Sequence, residues 1–209
     1  MYWDNFYKKE KEKNFKGLDS PSNFAITVQE ILKFPKIVLD LGAGNGRDSL
    51  YFLQSNNVVL AVDSSEHSFS IVELYNHDTL HTLKLDLTAD NSAFLLLETI
   101  KEIKVLNDFP VLFYLRFFLH AIEPENQGKI FNLLSKITNP GDIIAFENRV
   151  DSKTNYYYSN HNRYPIKNID IRKNFSKSKY KTILDIEDTG LAIFFTEDPT
   201  IGRLILEKI

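Results

Sequence analysis

Val38-Leu39-Asp40-Leu41-Gly42-Ala43-Gly44-Asn45-Gly46 is the stretch on which the fold turns. The run from Lys36 to Leu41 is short, β-branched and bounded by Pro35 and Gly42. That is the pattern of a buried strand. Three glycines then alternate with other residues before Arg47, where a helix over 47–54 begins. Glycine lacks a Cβ, so a ligand can approach the backbone closely here. A loop of this kind that opens a helix is a nucleotide-binding turn. The dinucleotide pattern needs Gly-x-Gly-x-x-Gly. In this chain the third glycine arrives one residue early, and Arg47 stands where the dinucleotide pattern has glycine.

Outward from the loop, strand and helix signals alternate. Pro21-Ser22 starts a helix to about Lys33, with Ser22 as N-cap and Phe24, Val28, Ile31 and Leu32 as its apolar face. Further strands are predicted over 58–62, 80–87, from Val111, and over 142–146. Helices are predicted over 65–76, 92–104 and 125–137. Such alternation implies βαβ units and a mostly parallel, doubly wound sheet. The tail breaks the rhythm. Segments 181–186, 191–196 and 201–207 all read as strand, with turn chemistry at Asp188-Thr189-Gly190 and Asp198-Pro199. An antiparallel strand or hairpin at the C-terminus is expected, with the first two runs forming either one bulged strand or two.

Asp63 stands 21 residues beyond Gly42, at the end of the second strand, where a carboxylate binds ribose hydroxyls in nucleotide-binding sheets. Its other reading is a helix cap, a part that Ser64 or Ser65 can also fill. Leu85-Asp86-Leu87 closes the third strand. Three acidic groups thus fall at three successive strand ends, the edge at which open α/β sheets bind ligands.

The glycine spacing with Asp40 two residues before it resembles motif I of class I S-adenosylmethionine (SAM)-dependent methyltransferases, over roughly residues 20–149. The resemblance implies a Rossmann-like methyltransferase fold in one domain spanning residues 1–209. Residues 1–33 would form a helical lid and 150–180 a substrate-binding insertion. It also implies SAM as cofactor and S-adenosylhomocysteine (SAH) as product. Asp40 would lie near the methionine amino group. Gly42, Gly44 and Gly46 would pack under the amino-acid and ribose portions, with Arg47 beside them. Asp63 and Ser64 would meet the ribose, and Asp86 and Leu87 the adenine. Leu115, on the fourth strand, would complete the cofactor site. In similar enzymes an N-terminal helix covers SAM, so Trp3 is expected at the cofactor and Tyr7 at the acceptor; a packed structural helix is the alternative.

The fourth strand carries the chemistry in that family, and here it runs Val111-Leu112-Phe113-Tyr114-Leu115-Arg116-Phe117-Phe118-Leu119-His120. The Asp/Asn-Pro-Pro-Tyr/Phe motif of base methyltransferases is absent. Arg116 and His120 interrupt an apolar run, and buried charge is costly unless it is paired. Both are expected to face the methyl acceptor, with His120 as general base because its pKa lies near neutrality. The alternatives are a structural histidine and an ion pair of Arg116 with an acid such as Glu147. Arg116, Arg149 and Arg163, three of the six arginines, fall in or just after strand-end loops. Arginine binds phosphate and carboxylate bidentately, so an anionic acceptor is expected, with Glu147 and His161 beside the arginines. The Arg116–Ile122 run, with Phe146-Glu147-Asn148-Arg149 and His161-x-Arg163, resembles small methyltransferases of bacterial surface polysaccharide. Some of these make the O-methyl phosphoramidate decoration of capsule.

Composition narrows the field. A net charge of −3 argues against a dedicated nucleic-acid binder. No cysteine is present, which excludes disulfides, thiolate zinc sites and a cysteine nucleophile. No metal is required. The N-terminus alternates aromatic and charged residues, unlike a secretory signal. The most apolar stretch, 111–122, is shorter than the ~20 residues a membrane span needs. A cytoplasmic enzyme acting on a small molecule, without nucleic-acid or membrane partners, is the expectation. A nucleic-acid or protein methyltransferase and a non-catalytic SAM-binding subunit are the competing readings.

Overall fold

A computed structural model describes residues 2–12, 20–32, 36–70, 72–151, 162–193 and 196–209. Seven strands form one sheet: β1 (Ile37–Leu41), β2 (Val58–Asp63), β3 (Leu80–Lys84), β4 (Val111–Arg116), β5 (Ile143–Arg149), β6 (Tyr180–Asp188) and β7 (Ile201–Lys208). Their spatial order is β3-β2-β1-β4-β5-β7-β6. The first five run parallel, while β7 pairs antiparallel with both β5 and β6. The Rossmann-like sheet with an antiparallel C-terminal hairpin is therefore present. Strand order reverses between β1 and β4, which opens a crevice at their carboxyl ends. The glycine loop lies at that point.

The helices are α1 (Tyr2–Glu12), α2 (Asn23–Ile31), α3 (Arg47–Gln54), α4 (Ser92–Leu106), α5 (Pro124–Ile137) and α6 (Asn168–Arg172). Strand β1 is buried along its whole length, as its β-branched run required. One core joins Leu39, Leu41, Leu60, Phe113 and Phe146 to α4 and α5 on one sheet face. A second packs Phe24, Ala25 and Val28 of α2 and Phe52 of α3 against Val38, Val59 and Tyr114 on the other. Ser22 caps α2, its hydroxyl accepting the Ala25 N–H at 3.1 Å. Of segment 1–33, α2 therefore belongs to the core, and α1 is the part that overlies the crevice. Among the described residues no helix is long and apolar enough to cross a membrane.

Two expectations are corrected. Segment 65–76 contains no α-helix among the described residues, only a 3-10 turn at Val72–Leu74. Its serines bond locally instead: Ser65 N donates to Asp63 Oδ1 at 2.9 Å and Ser68 Oγ to the Ser65 carbonyl at 2.8 Å. Such bonds compete with helix formation. Phe69, with φ of +64°, also interrupts any helical path. In the tail, β6 is one strand with an irregularity between Thr182 and Leu184. Of the run 191–196, residues 191–193 form no strand and line the crevice instead, while 194–195 lie outside the described residues.

Candidate active site

Gly42, Gly44 and Gly46 hold φ of +82°, +57° and +84°. Other residues adopt such angles only with strain. All three positions are also closely covered. A Cβ at Gly42 would lie 2.6 Å from the Phe118 ring, one at Gly46 2.8 Å from Val72, and one at Gly44 would collide with the Tyr7 hydroxyl. Asp63 Oδ2 accepts the Gly44 N–H at 2.9 Å and ties the loop to the end of β2. Burial pushes the Asp63 carboxyl above its ordinary value, against the amide bonds of Ser65, Gly44 and Ser64. A carboxylate offers about four lone-pair directions. With three amides bound, Asp63 thus keeps about one acceptor direction for a ligand hydroxyl while it holds the loop.

Asp40 ends the buried face of β1 and accepts the Ser49 hydroxyl at 2.6 Å. Burial, then the neighbouring Asp48 carboxylate, pushes its pKa up to about 7. A cation placed beside Asp40 favours its ionised form, so binding of an aminoacyl cofactor releases a proton there. Affinity must then rise with pH below 7 and level off above it. Isothermal titration with SAH from pH 5.5 to 8 is expected to show Kd falling by nearly tenfold per unit at the acid end. Asp40→Asn flattens that profile; a flat wild-type profile would remove Asp40 from cofactor binding.

Helix α1 lies over the loop. Asp4 Oδ1 accepts the Ser65 hydroxyl and the Glu66 N–H, each at 2.7 Å. Trp3 stacks on Tyr7, ring centroids 6.0 Å apart, and both line the crevice with Tyr2 and Phe6. Burial, then Asp63 and Asp40, pushes the Tyr7 hydroxyl far above its ordinary value, so it stays neutral.

The floor is an ion network. Glu147, with no exposed surface, accepts Arg116 Nε at 2.9 Å on one oxygen and Arg203 Nε at 2.7 Å on the other. Arg203 also donates to the Leu191 carbonyl at 2.8 Å and to Thr27 Oγ1 at 3.3 Å. Asp48 accepts from Ser22 N at 2.7 Å, Ser22 Oγ at 2.8 Å and the Tyr114 hydroxyl at 2.8 Å. Its oxygens stand 3.9 Å from Arg47 Nε and 4.0 Å from Arg116 Nε. Phe117 has φ of +55°, a costly conformation for a bulky side chain, and its ring faces the Arg116 guanidinium at 4.4 Å. No bond reaches Arg116 Nη1 or Nη2 among the described residues.

At the other side Arg149 Nη2 donates to Glu197 Oε2 at 2.6 Å. The Arg149 backbone N–H donates to His120 Nδ1 at 3.3 Å. An amide can only donate, so Nδ1 is unprotonated and a neutral His120 carries its hydrogen on Nε2.

The cavity, about 330 Å³, brings together Trp3, Tyr7, Asp40, Gly42, Gly44, Arg47, Arg116, His120, Glu147, Arg149 and Arg163. Gly46, Asp63, Ser64, Asp86, Leu87 and Leu115 are not among its lining residues. Asp86 is exposed and caps a local turn, accepting from Thr88 N at 2.8 Å and Thr88 Oγ1 at 2.7 Å. Leu115 is buried in the core under the sheet end. His161 lies outside the described residues. Sequence reasoning missed Asp48, Phe117, Glu197 and Arg203. Of these, only Arg203, a lone charge in the apolar run 201–206, left a signal.

Comparison with known proteins shows the family and the fold. The family described as tellurite resistance protein TehB matches residues 4–144. No curated protein matches the sequence. Among solved structures, a SAM-dependent methyltransferase from Anabaena variabilis is similar, with TM-score 0.70 at 15% identity over 99% of this chain and 93% of that one. A 1,6-didemethyltoxoflavin-N1-methyltransferase from Burkholderia thailandensis, solved with its acceptor and SAH, gives TM-score 0.68 at 14% identity over 99% and 87%. TehB from Haemophilus influenzae gives TM-score 0.62 at 17% identity over 88% of this chain, which spans 61% of that one. At these identities the likeness is one of fold.

Proposed function

The chain belongs to the TehB family and is built as a SAM-dependent methyltransferase; from that premise we propose that it methylates a small anionic acceptor. Asp40 and Asp63 flank a loop whose glycines admit close approach, which suits a cofactor with a cationic aminoacyl end and a ribose. SAM supplies, when bound, a methyl carbon made electrophilic by its sulfonium. The protein's part is to align the acceptor with it and exclude water.

One observation supports the anionic acceptor above the others. Arg116 spends Nε on Glu147 and keeps both Nη groups without a partner among the described residues, at the cavity wall. A guanidinium held from behind presents a bidentate fork for phosphate or carboxylate. Arg149 and Arg163 line the same cavity. Tellurite, named in the family's description, is likewise an oxyanion. The finer reading is O-methyl transfer to a phosphate, phosphoramidate or sugar-nucleotide acceptor in surface or capsular polysaccharide synthesis, in the cytoplasm. The motif resemblance around 116–122, 146–149 and 161–163 supports it.

The test is methyl transfer from labelled SAM to a panel of phosphate, phosphoramidate, carboxylate and oxyanion compounds. With the acceptor found, Arg116→Lys should lower kcat/KM by roughly 30- to 100-fold, the worth of one charge-assisted bidentate contact. Its affinity for SAH should stay within threefold of wild type. Transfer only to neutral acceptors, or an Arg116→Lys variant as active as wild type, would overturn the proposal.

A further inference from the structure

We infer that the acceptor carries an N–H or O–H group beside its anion, and that Glu197 receives this hydrogen. The inference rests on the anionic-acceptor reading and adds a second point of recognition to it.

Among the described residues, four carboxylates line the cavity: Asp40, Asp48, Glu147 and Glu197. Three are already committed. Glu147 has an arginine on each oxygen. Asp48 holds Ser22 and Tyr114. Asp40 takes Ser49 and faces the glycine loop, on the cofactor side. Glu197 differs. It stands in the segment between β6 and β7, its side chain 9% exposed, with Oε2 fixed by Arg149 at 2.6 Å. Its other oxygen, Oε1, is buried and has no hydrogen-bond partner among the described residues. An ionised carboxylate can only accept, and a buried oxygen left without a donor costs about 1–3 kcal/mol or more. A donor from the ligand would remove that cost.

The surrounding groups narrow what supplies it. Arg116 complements an anion. Among the described carboxylates of the same cavity, Glu197 is the one with an oxygen left to accept a hydrogen. Arg149 neutralises Glu197 and makes it rigid, so the carboxylate keeps its position without summoning a second protein cation. A molecule that satisfies both sides carries an oxyanion at one end and an amine or hydroxyl at the other. A purely anionic or simple alkyl acceptor leaves Oε1 bare.

Three probes that share one anion test this: ethyl phosphate, 2-hydroxyethyl phosphate and O-phosphoethanolamine, which end in methyl, hydroxyl and ammonium. Their binding is measured by calorimetry on the full chain saturated with SAH. At least one of the two donor-bearing probes should bind ten times or more tighter than ethyl phosphate. Glu197→Gln should reduce that preference below threefold with SAH affinity within threefold of wild type; because it removes the charge that pairs with Arg149, the melting temperature is expected to fall, and binding is measured well below it. Glu197→Asp, which keeps the charge but withdraws it, should give an intermediate preference. Equal binding of all three by wild type, or a preference that survives in Glu197→Gln, overturns the role of Glu197 and leaves the anionic reading standing. Binding of none of them by SAH-loaded protein counts against the anionic reading itself.

Discussion

Gly44→Val should lose SAH affinity by at least a hundredfold while the chain still folds. Two independent demands meet at this residue. Its φ of +57° lies in the left-handed region, where a β-branched side chain is a genuine outlier costing about 1–3 kcal/mol. Any Cβ there also projects into the space above the loop, where the Tyr7 hydroxyl already sits. A cofactor resting on this backbone and α1 closing over it both use the gap that glycine leaves. The loop is further pinned at its own backbone, where Gly44 N donates to Asp63 and Gly44 O accepts the Phe69 N–H at 2.8 Å. Relaxing the strain in the variant therefore pulls Asp63 away as well. Calorimetry with SAH and far-ultraviolet circular dichroism provide the check. Gly44→Ala should show a smaller loss of the same kind. A Gly44→Val protein that is folded and binds SAH within tenfold of wild type would remove the loop from the cofactor site.

How far sequence pattern reached depended on how local each feature was. The strand 37–41, its glycines and the helix beginning at Arg47 are contiguous, and strand geometry with glycine's conformational freedom dictates them directly. Asp63 was legible because a fixed βαβ unit places it at a neighbouring strand end. The α-helix expected over 65–76 is absent among the described residues because serine-to-backbone bonds compete with helical hydrogen bonding there. The ion network is long-range throughout. Glu147 meets Arg203 only because β7 returns antiparallel beside β5 and sets the two opposite each other in register. Asp48 reaches Ser22 and Tyr114 across three elements. Glu197 lies in a connection whose path depends on that same hairpin and on Arg203 holding the Leu191 carbonyl. No spacing rule connects residue 197 to residue 149. The arginines could be suspected of anion binding from their type and placement. Which of them keeps a free fork, and which is consumed by an acid, is decided only by these tertiary partners.

Glu147→Gln should be the most damaging conservative substitution in the protein, lowering stability by about 3–5 kcal/mol, the usual cost of removing one member of a buried ion set. Glu147 has no exposed surface and holds two guanidiniums at hydrogen-bond distance, Arg116 at 2.9 Å and Arg203 at 2.7 Å. Burial pushes its carboxyl above the ordinary range while both arginines hold it back. Glutamine keeps the shape but leaves two arginines without their counter-charge. At roughly 2–4 °C per kcal/mol for a chain of this size, the melting temperature should fall by about 10 °C or more. The ion set is not expected to be a net gain in stability, because an apolar cluster of similar volume is often as stable or more so. Its value is orientation: Glu147 holds Arg116 from behind, and Arg203 ties Glu147 to the Leu191 wall and to α2. A double variant, Glu147→Leu with Arg203→Met, removes one charge of each sign. It should therefore recover part of the stability lost in Glu147→Gln while acceptor binding stays impaired, since the fork of Arg116 is no longer aimed. Thermal melts and acceptor titrations on the same preparations separate these effects. A Glu147→Gln melting temperature within 2 °C of wild type would mean that the two arginines find other partners, and that the network does not set the geometry of the site.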